Sequence, residues 1–157
     1  MSTVPDGYNI APQRIICNNN VALAAADLTG TATRFTITGG PVLIRHIGLH
    51  ISTALPAGAN TLKIATTPAG GASTDLCGAT DTASAALNSL FMLDGVKGTG
   101  LVKSTDAGIG VLANIAHMPI ILAPGVIQTI FSAGAPATGA ANLFIEWEPL
   151  TPDSLIS

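Results

Sequence analysis

From Thr31 onward the residues alternate in steps of two, and that period limits what the chain can fold into more than any other feature. Thr33, Phe35 and Ile37 share one face of an extended segment, while Arg34, Thr36 and Thr38 share the other. Gly39-Gly40-Pro41 ends it. The next segment, Val42 to Ser52 (VLIRHIGLHIS), is the longest strand candidate. Period two puts Leu43, Arg45, Ile47, Leu49 and Ile51 on one face and Val42, Ile44, His46, Gly48 and His50 on the other. Both faces carry apolar residues, as expected of a central strand in a sandwich rather than an edge.

The remaining segments read the same way. Arg14 to Cys17 is a short first strand, Asn18-Asn19-Asn20 a turn, and Val21 to Leu28 extended. Pro56 to Asn60 is a turn, Thr61 to Thr66 a strand and Pro68 to Thr74 a loop. Leu87 to Asp94 fits a strand or a short helix, because its apolar run is too brief for the period to decide. Gly95 to Gly110 is mostly loop, and Val111-Leu112 and Ile120 to Leu122 are short strands. Residues 119 to 150 read as a closing hairpin, with strands at Val126 to Phe131 and Leu143 to Trp147. Pro124-Gly125 turns into the first of these, and Pro149, lacking a backbone N–H, stops the second. Strand candidates thus recur roughly every ten to fifteen residues with Gly/Pro punctuation and no amphipathic helix between them, the pattern of a sandwich or jelly roll. The expected architecture is all-β: a single β-sandwich or jelly-roll domain over residues 14–157, preceded by an extended N-terminal arm over residues 1–13. No internal repeat is visible.

Composition narrows the function. Charged residues are 10% of the 157-residue chain, against about 25% in an average soluble protein, and 48% are hydrophobic. So thin a charged coat predicts that much of the surface is covered by other protein, as in a subunit of an assembly. Net charge is −3. The cations Arg14, Arg34, Arg45, Lys63, Lys97 and Lys103 are scattered, which argues against nucleic acid and acidic membranes as partners. Residues 1–14 have neither the basic n-region nor the apolar h-region of a signal peptide, and no apolar run approaches the ~20 residues of a membrane span, so the expectation is a soluble chain made in the cytosol. Cys17 and Cys77 lack a CxxC or Cys/His companion and read as small buried hydrophobes with reduced thiols.

No catalytic, cofactor-binding or metal-ligating residue is assigned. His46 and His50 match HxxxH, but four residues of strand span about 13 Å, too far to share one metal ion. His117 stands alone. Glu146 and Glu148 lie on one strand face roughly 7 Å apart, a spacing compatible with a glycosidase pair. A solvated strand face supplies the same spacing and is the preferred reading. Asp75, Asp81, Asp94 and Asp106 lack the rhythm of a calcium loop. Gly108-Ile109-Gly110 is too short to be a phosphate-binding fingerprint, and no GxSxG nucleophile elbow occurs.

The segment MPIILAPGVIQTIFSAGAPATGAANLFIEWEPLTP resembles the ending of tailed-bacteriophage capsid decoration, or cement, proteins. The matching residues are Pro124, Gly125, Ile127, Thr138, Gly139, Ile145, Trp147, Pro149 and Leu150. Upstream, VLIRHIGLHISTALPAGANTLKIATTP is similar to the strand-turn-strand core of that family, and the two stretches together make up 62 of the 157 residues. The resemblance implies a non-enzymatic structural virion protein without cofactors. It would sit on the outer capsid surface, with the major capsid protein and further copies of itself, as a dimer or trimer, for partners. Residues 1–16 and the loops at 68–80 and 95–110 are then expected to make the contacts. Two alternatives are a phage tail or baseplate module and a carbohydrate-binding β-sandwich. The latter has only Trp147 and Tyr8 to offer a sugar, and Trp147 is expected in the core.

Overall fold

The computed structural model describes residues 15–58, 60–104, 118–132 and 134–157. Within them the chain forms two six-stranded antiparallel sheets that pack face to face. Four strands come first: β1 (Cys17–Ala24), β2 (Gly30–Thr38), β3 (Val42–Thr53) and β4 (Thr61–Pro68). Five short ones follow: β5 (Thr74–Asp75), β6 (Thr80–Asp81), β7 (Leu90–Met92), β8 (Val102–Lys103) and β9 (Ile120–Leu122). The last three are β10 (Gly125–Phe131), β11 (Ala140–Pro149) and β12 (Leu155–Ile156).

The first sheet runs β1-β11-β3-β7-β8, with β9 also paired to β3, and the second runs β12-β2-β10-β4-β5, with β6 also paired to β4. The chain alternates between sheets over β1 to β4 and again over β9 to β12. β11 returns between β1 and β3 while β10 returns between β2 and β4. This interlocked return is the double Greek key of a jelly roll. The expected arm, residues 1–13, lies outside the described residues, as do Val111-Leu112, Asp106, His117 and Gly108-Ile109-Gly110.

The core is continuous between the sheets and includes Phe35, Ile44, Leu49, Ile64, Phe91, Ile127, Leu143 and Trp147, all buried. The final turn of the chain closes one end. Gly39 has φ +76°, and a Cβ there would stand 1.8 Å from the Asp153 carbonyl oxygen, so glycine is required where the 151–154 turn packs back.

Several sequence expectations need correction. Asn18-Asn19-Asn20 is not a turn but the start of β1, paired residue for residue with β11 from Cys17↔Trp147 to Ala24↔Ala140. The asparagines tolerate extended backbone because their amides are used elsewhere: Asn19 accepts from Trp147 Nε1 at 2.9 Å and donates to the Ile156 carbonyl at 3.1 Å. Val21 to Leu28 is extended only through Ala24, after which Ala25–Asp27 form a 3-10 turn. Of Leu87 to Asp94 only Leu90–Met92 form a strand, β7, preceded by a turn at Leu87-Asn88, and none of it is helix.

Residues 119–150 are not a hairpin. β10 belongs to the second sheet and β11 to the first, so the connection between them crosses the end of the sandwich. Their apolar rows, Ile127 and Phe131 against Leu143, Ile145 and Trp147, meet through the core rather than side by side. The face assignments of β2 and β3 also change, because β2 carries one extra residue and β3 two, Ser52 near its end and Arg45 within it. Ile127 pairs with Phe35 but Gln128 with Thr33, which leaves Arg34 extra; Glu146 pairs with His46 but Trp147 with Ile44, which leaves Arg45 extra. A bulge of this kind resets the inward face. Val42 and Ile44 therefore join Ile47, Leu49 and Ile51 in the core, Leu43 turns outward, and Thr33 leaves the face of Phe35 and Ile37.

Candidate interaction surface

Ionic side chains are largely consumed inside the fold. At the first bulge, Arg34 donates from Nε to the buried Thr129 hydroxyl at 2.8 Å and from Nη2 to the Asp27 carbonyl at 2.6 Å, with the Asp27 carboxylate 3.8 Å from Nη1. It thereby ties β2 to β10 and to the 3-10 turn. At the second bulge, Arg45 donates from Nε and Nη2 to Glu148 Oε1. Glu148 is only 5% exposed, so it is not the solvated strand carboxylate expected from sequence, although it does share the outer face with Glu146. Lys63 donates to Asp75 at 2.8 Å, and this contact raises the ammonium above its ordinary range. Lys103 lies over the Phe91 ring, 5.6 Å from its centre.

The other residues considered from sequence do not converge. His46 and His50 share the outer face of the first sheet, but His46 stands opposite Glu146 while His50 lies 3.3 Å from Asn88 Oδ1. Asp81 and Asp94 accept the backbone N–H groups of Ala83 and Val96, each two residues on, and so shape their own turns. Among the described residues no three His, Cys, Asp or Glu side chains are placed to hold a metal ion. No helix there is long and apolar enough to cross a membrane. A groove of about 270 Å³ opens at one end of the sandwich, between Leu55, Pro56, Asn60, Thr82, Ala83 and Pro136. Its polar side chains are already engaged: Asn60 donates to the Leu28 carbonyl and Thr82 to the Asn60 carbonyl. Such a lining offers no acid, base or nucleophile.

The broadest features are the two outer sheet faces. On the first sheet, Asn20, Phe144, Gly48 and Met92 form one row across four strands. A Cβ on Gly48 would meet Phe144 Cζ at 2.4 Å and Met92 Sδ at 2.5 Å, so the ring and the thioether close over the glycine as a flat apolar patch. Leu43 and Ile121 pair at one end of this face, and Ile121 is 64% exposed. Ile15, Ile16, Leu150 and Leu155 are further large apolar residues left open to solvent. The second sheet turns a row of threonines outward, Thr31, Thr33, Thr36 and Thr38, beside Val126 and Gln128. Neither face was legible as a surface in the sequence, since which residues pointed outward depended on the bulges at Arg34 and Arg45.

The two cysteines behave as small apolar residues. Cys77 is fully buried and Cys17 half-buried, and both are free thiols. Burial pushes the Cys77 thiol upward, with its sulfur accepting the Ile64 N–H at 3.3 Å. The folded state therefore holds this proton to a higher pH than the unfolded chain does. Stability is expected to fall once pH passes the unfolded thiol value of about 8.5, by at most about 1.4 kcal/mol per pH unit. Urea titrations at pH 7.5, 8.5 and 9.5 on the protein and on Cys77→Ala check this. The variant should show the flatter alkaline limb, and equal slopes would refute the assignment.

No protein-family model, curated protein or solved structure matches this chain.

Proposed function

We propose that this protein is a structural virion subunit, a capsid decoration protein that binds the outer surface of a phage head and bridges neighbouring capsomers. The supporting observation is the pairing of charge within the fold. Arg34, Arg45 and Lys63 are each committed to a carboxylate of the same domain. What remains outside is two sheet faces rich in threonine, asparagine, alanine and apolar side chains, with His46, His50 and Glu146 as the titratable groups on the first, a sparsely charged surface suited to lying against other protein. A jelly roll needs no active site to work in this way. A subunit that binds only the assembled shell stabilises it by mass action, and many copies bridging adjacent capsomers multiply a modest contact.

The carbohydrate-binding reading draws little support from the same surface. Trp147 is 3% exposed, and Phe35, Phe91 and Phe131 are buried with it. Phe144 is spent covering Gly48, so no row of open rings is available among the described residues.

Mixing the purified protein with heads that lack it, then pelleting the heads, tests the proposal. Co-pelleting that saturates at a fixed ratio to the major capsid protein is the expected result. Protein that stays in the supernatant at every concentration would overturn the head reading in favour of a tail or baseplate module.

A further inference from the structure

We propose that β1 is a docking edge, along which two copies of this chain pair antiparallel and join their first sheets into one. The argument rests on the sheet edges and is independent of the capsid reading. An edge strand presents unpaired N–H and C=O groups, and soluble proteins blunt such edges by shortening them or by adding lysine, proline or a bulge. Among the described residues every edge but one is shortened or blunted: β12 covers only Ile37 and Thr38 of β2, and the stretch Gly30–Phe35 left open beyond it carries a charge and a bulge at Arg34. The strands at or beside the other margins, β5, β6, β8, β9 and β12, have two or three residues each.

β1 is the exception. It has eight residues, Cys-Asn-Asn-Asn-Val-Ala-Leu-Ala, with no charge and no proline, and its register against β11 runs without a break. In an antiparallel strand alternate residues aim both backbone groups away from the paired neighbour, which leaves about four N–H and four C=O groups on the free side. Among the described residues none of them finds a backbone partner, and only the Ala24 N–H, at the end of the strand, is taken by a side chain, the Asp27 carboxylate at 2.9 Å. The side chains flanking that edge on the outer face, Asn18, Asn20, Ala22 and Ala24, are small and exposed, so nothing bulky blocks an approaching strand.

A second copy is the occupant that fits. Directly paired residues in a sheet share a face, so a two-fold axis must match residues of like parity. An axis at Val21 sets Val21 against itself and Asn19 against Leu23 on the inner side. On the outer side it sets Asn20 against Ala22 and Asn18 against Ala24. No charge opposes its like, and the half-buried Val21 becomes covered. Self-pairing also closes both long edges at once. What remains exposed is strands of two or three residues and the Gly30–Phe35 stretch of β2, whose Arg34 bulge disfavours pairing, so assembly by this route stops at two.

Sedimentation equilibrium combined with amide exchange resolved along β1 tests the proposal. The protein is expected to sediment at twice the chain mass, with every second β1 amide, the one facing away from β11, exchanging at least tenfold more slowly in the dimer. The double variant Asn20→Lys/Ala22→Lys changes two exposed positions and places four like charges at the seam, so it should be a folded monomer in which those amides exchange at the open-edge rate. A double variant that stays dimeric, or fast exchange at those amides in a dimeric protein, would overturn the proposal. So would a protein that is monomeric throughout the micromolar range.

Discussion

Replacing Arg45 with methionine is expected to lower the unfolding free energy by about 3 kcal/mol, the lower end of the range for removing one partner from a buried ion pair. Arg45 is the extra residue of one β3 bulge, and its guanidinium closes on a Glu148 side chain that is only 7% exposed. Without the arginine, that carboxylate stays in its sheltered position on β11 and loses the charge that offset its desolvation. The guanidinium itself is 31% exposed, which tempers the loss. Pairing the change with Glu148→Gln should recover most of the stability, since a buried ion pair exchanged for neutral side chains of similar size costs little. The chain has one tryptophan, Trp147, directly across from Ile44 beside the bulge, so its fluorescence follows urea unfolding of both variants. A single variant within about 0.5 kcal/mol of the parent, the range of ordinary surface substitutions, would show that solvent already screens the pair.

The same arginine explains where the sequence was readable and where it was not. Period two in residues 31–38 and 42–52 pointed to strands, and Gly/Pro punctuation to their ends; both β2 and β3 lie where that rhythm placed them. A period, however, presumes that every residue takes one step. Arg34 and Arg45 each take an extra one, so Val42 and Ile44 went to the wrong face and Thr33 was grouped with the core. Nothing local marks either bulge, because what stabilises it is a distant partner, Thr129 in one case and Glu148 in the other. The assignment of β10 and β11 to opposite sheets was hidden for a related reason. Two alternating strands and a small-residue loop look alike whether the loop turns back or crosses the sandwich. The Asn18-Asn19-Asn20 triplet misled through its turn propensity, which gave way to eight residues of pairing with β11 and to the bonds of the Asn19 amide. The flat outer faces became visible only with the bulges in place, and the open edge of β1 only once every strand had its neighbours.

The second large effect is expected at Trp147. Truncation to alanine should cost about 3–5 kcal/mol, the usual loss for a buried aromatic ring of this size. Trp147→Phe separates packing from hydrogen bonding. It keeps a ring in the core but removes the indole N–H that the Asn19 side chain accepts at 2.9 Å. That leaves a sheltered amide oxygen short of a donor, at a cost of about 1–3 kcal/mol. Asn19 matters beyond its own strand, because its amide nitrogen also donates to the Ile156 carbonyl in β12 of the opposite sheet. The chain Trp147–Asn19–Ile156 thus fastens β1 to both sheets from the inner side, while the outer edge of β1 stays open. A double-mutant cycle between Trp147→Phe and Asn19→Ala should return a coupling of at least 0.5 kcal/mol, the level at which contacting residues depart from additivity. Loosening this anchor should also raise the dimer dissociation constant, since an edge strand that frays cannot present its amides in register. Trp147→Phe that destabilises the fold without weakening self-association would separate the two properties and place the dimer contact away from β1.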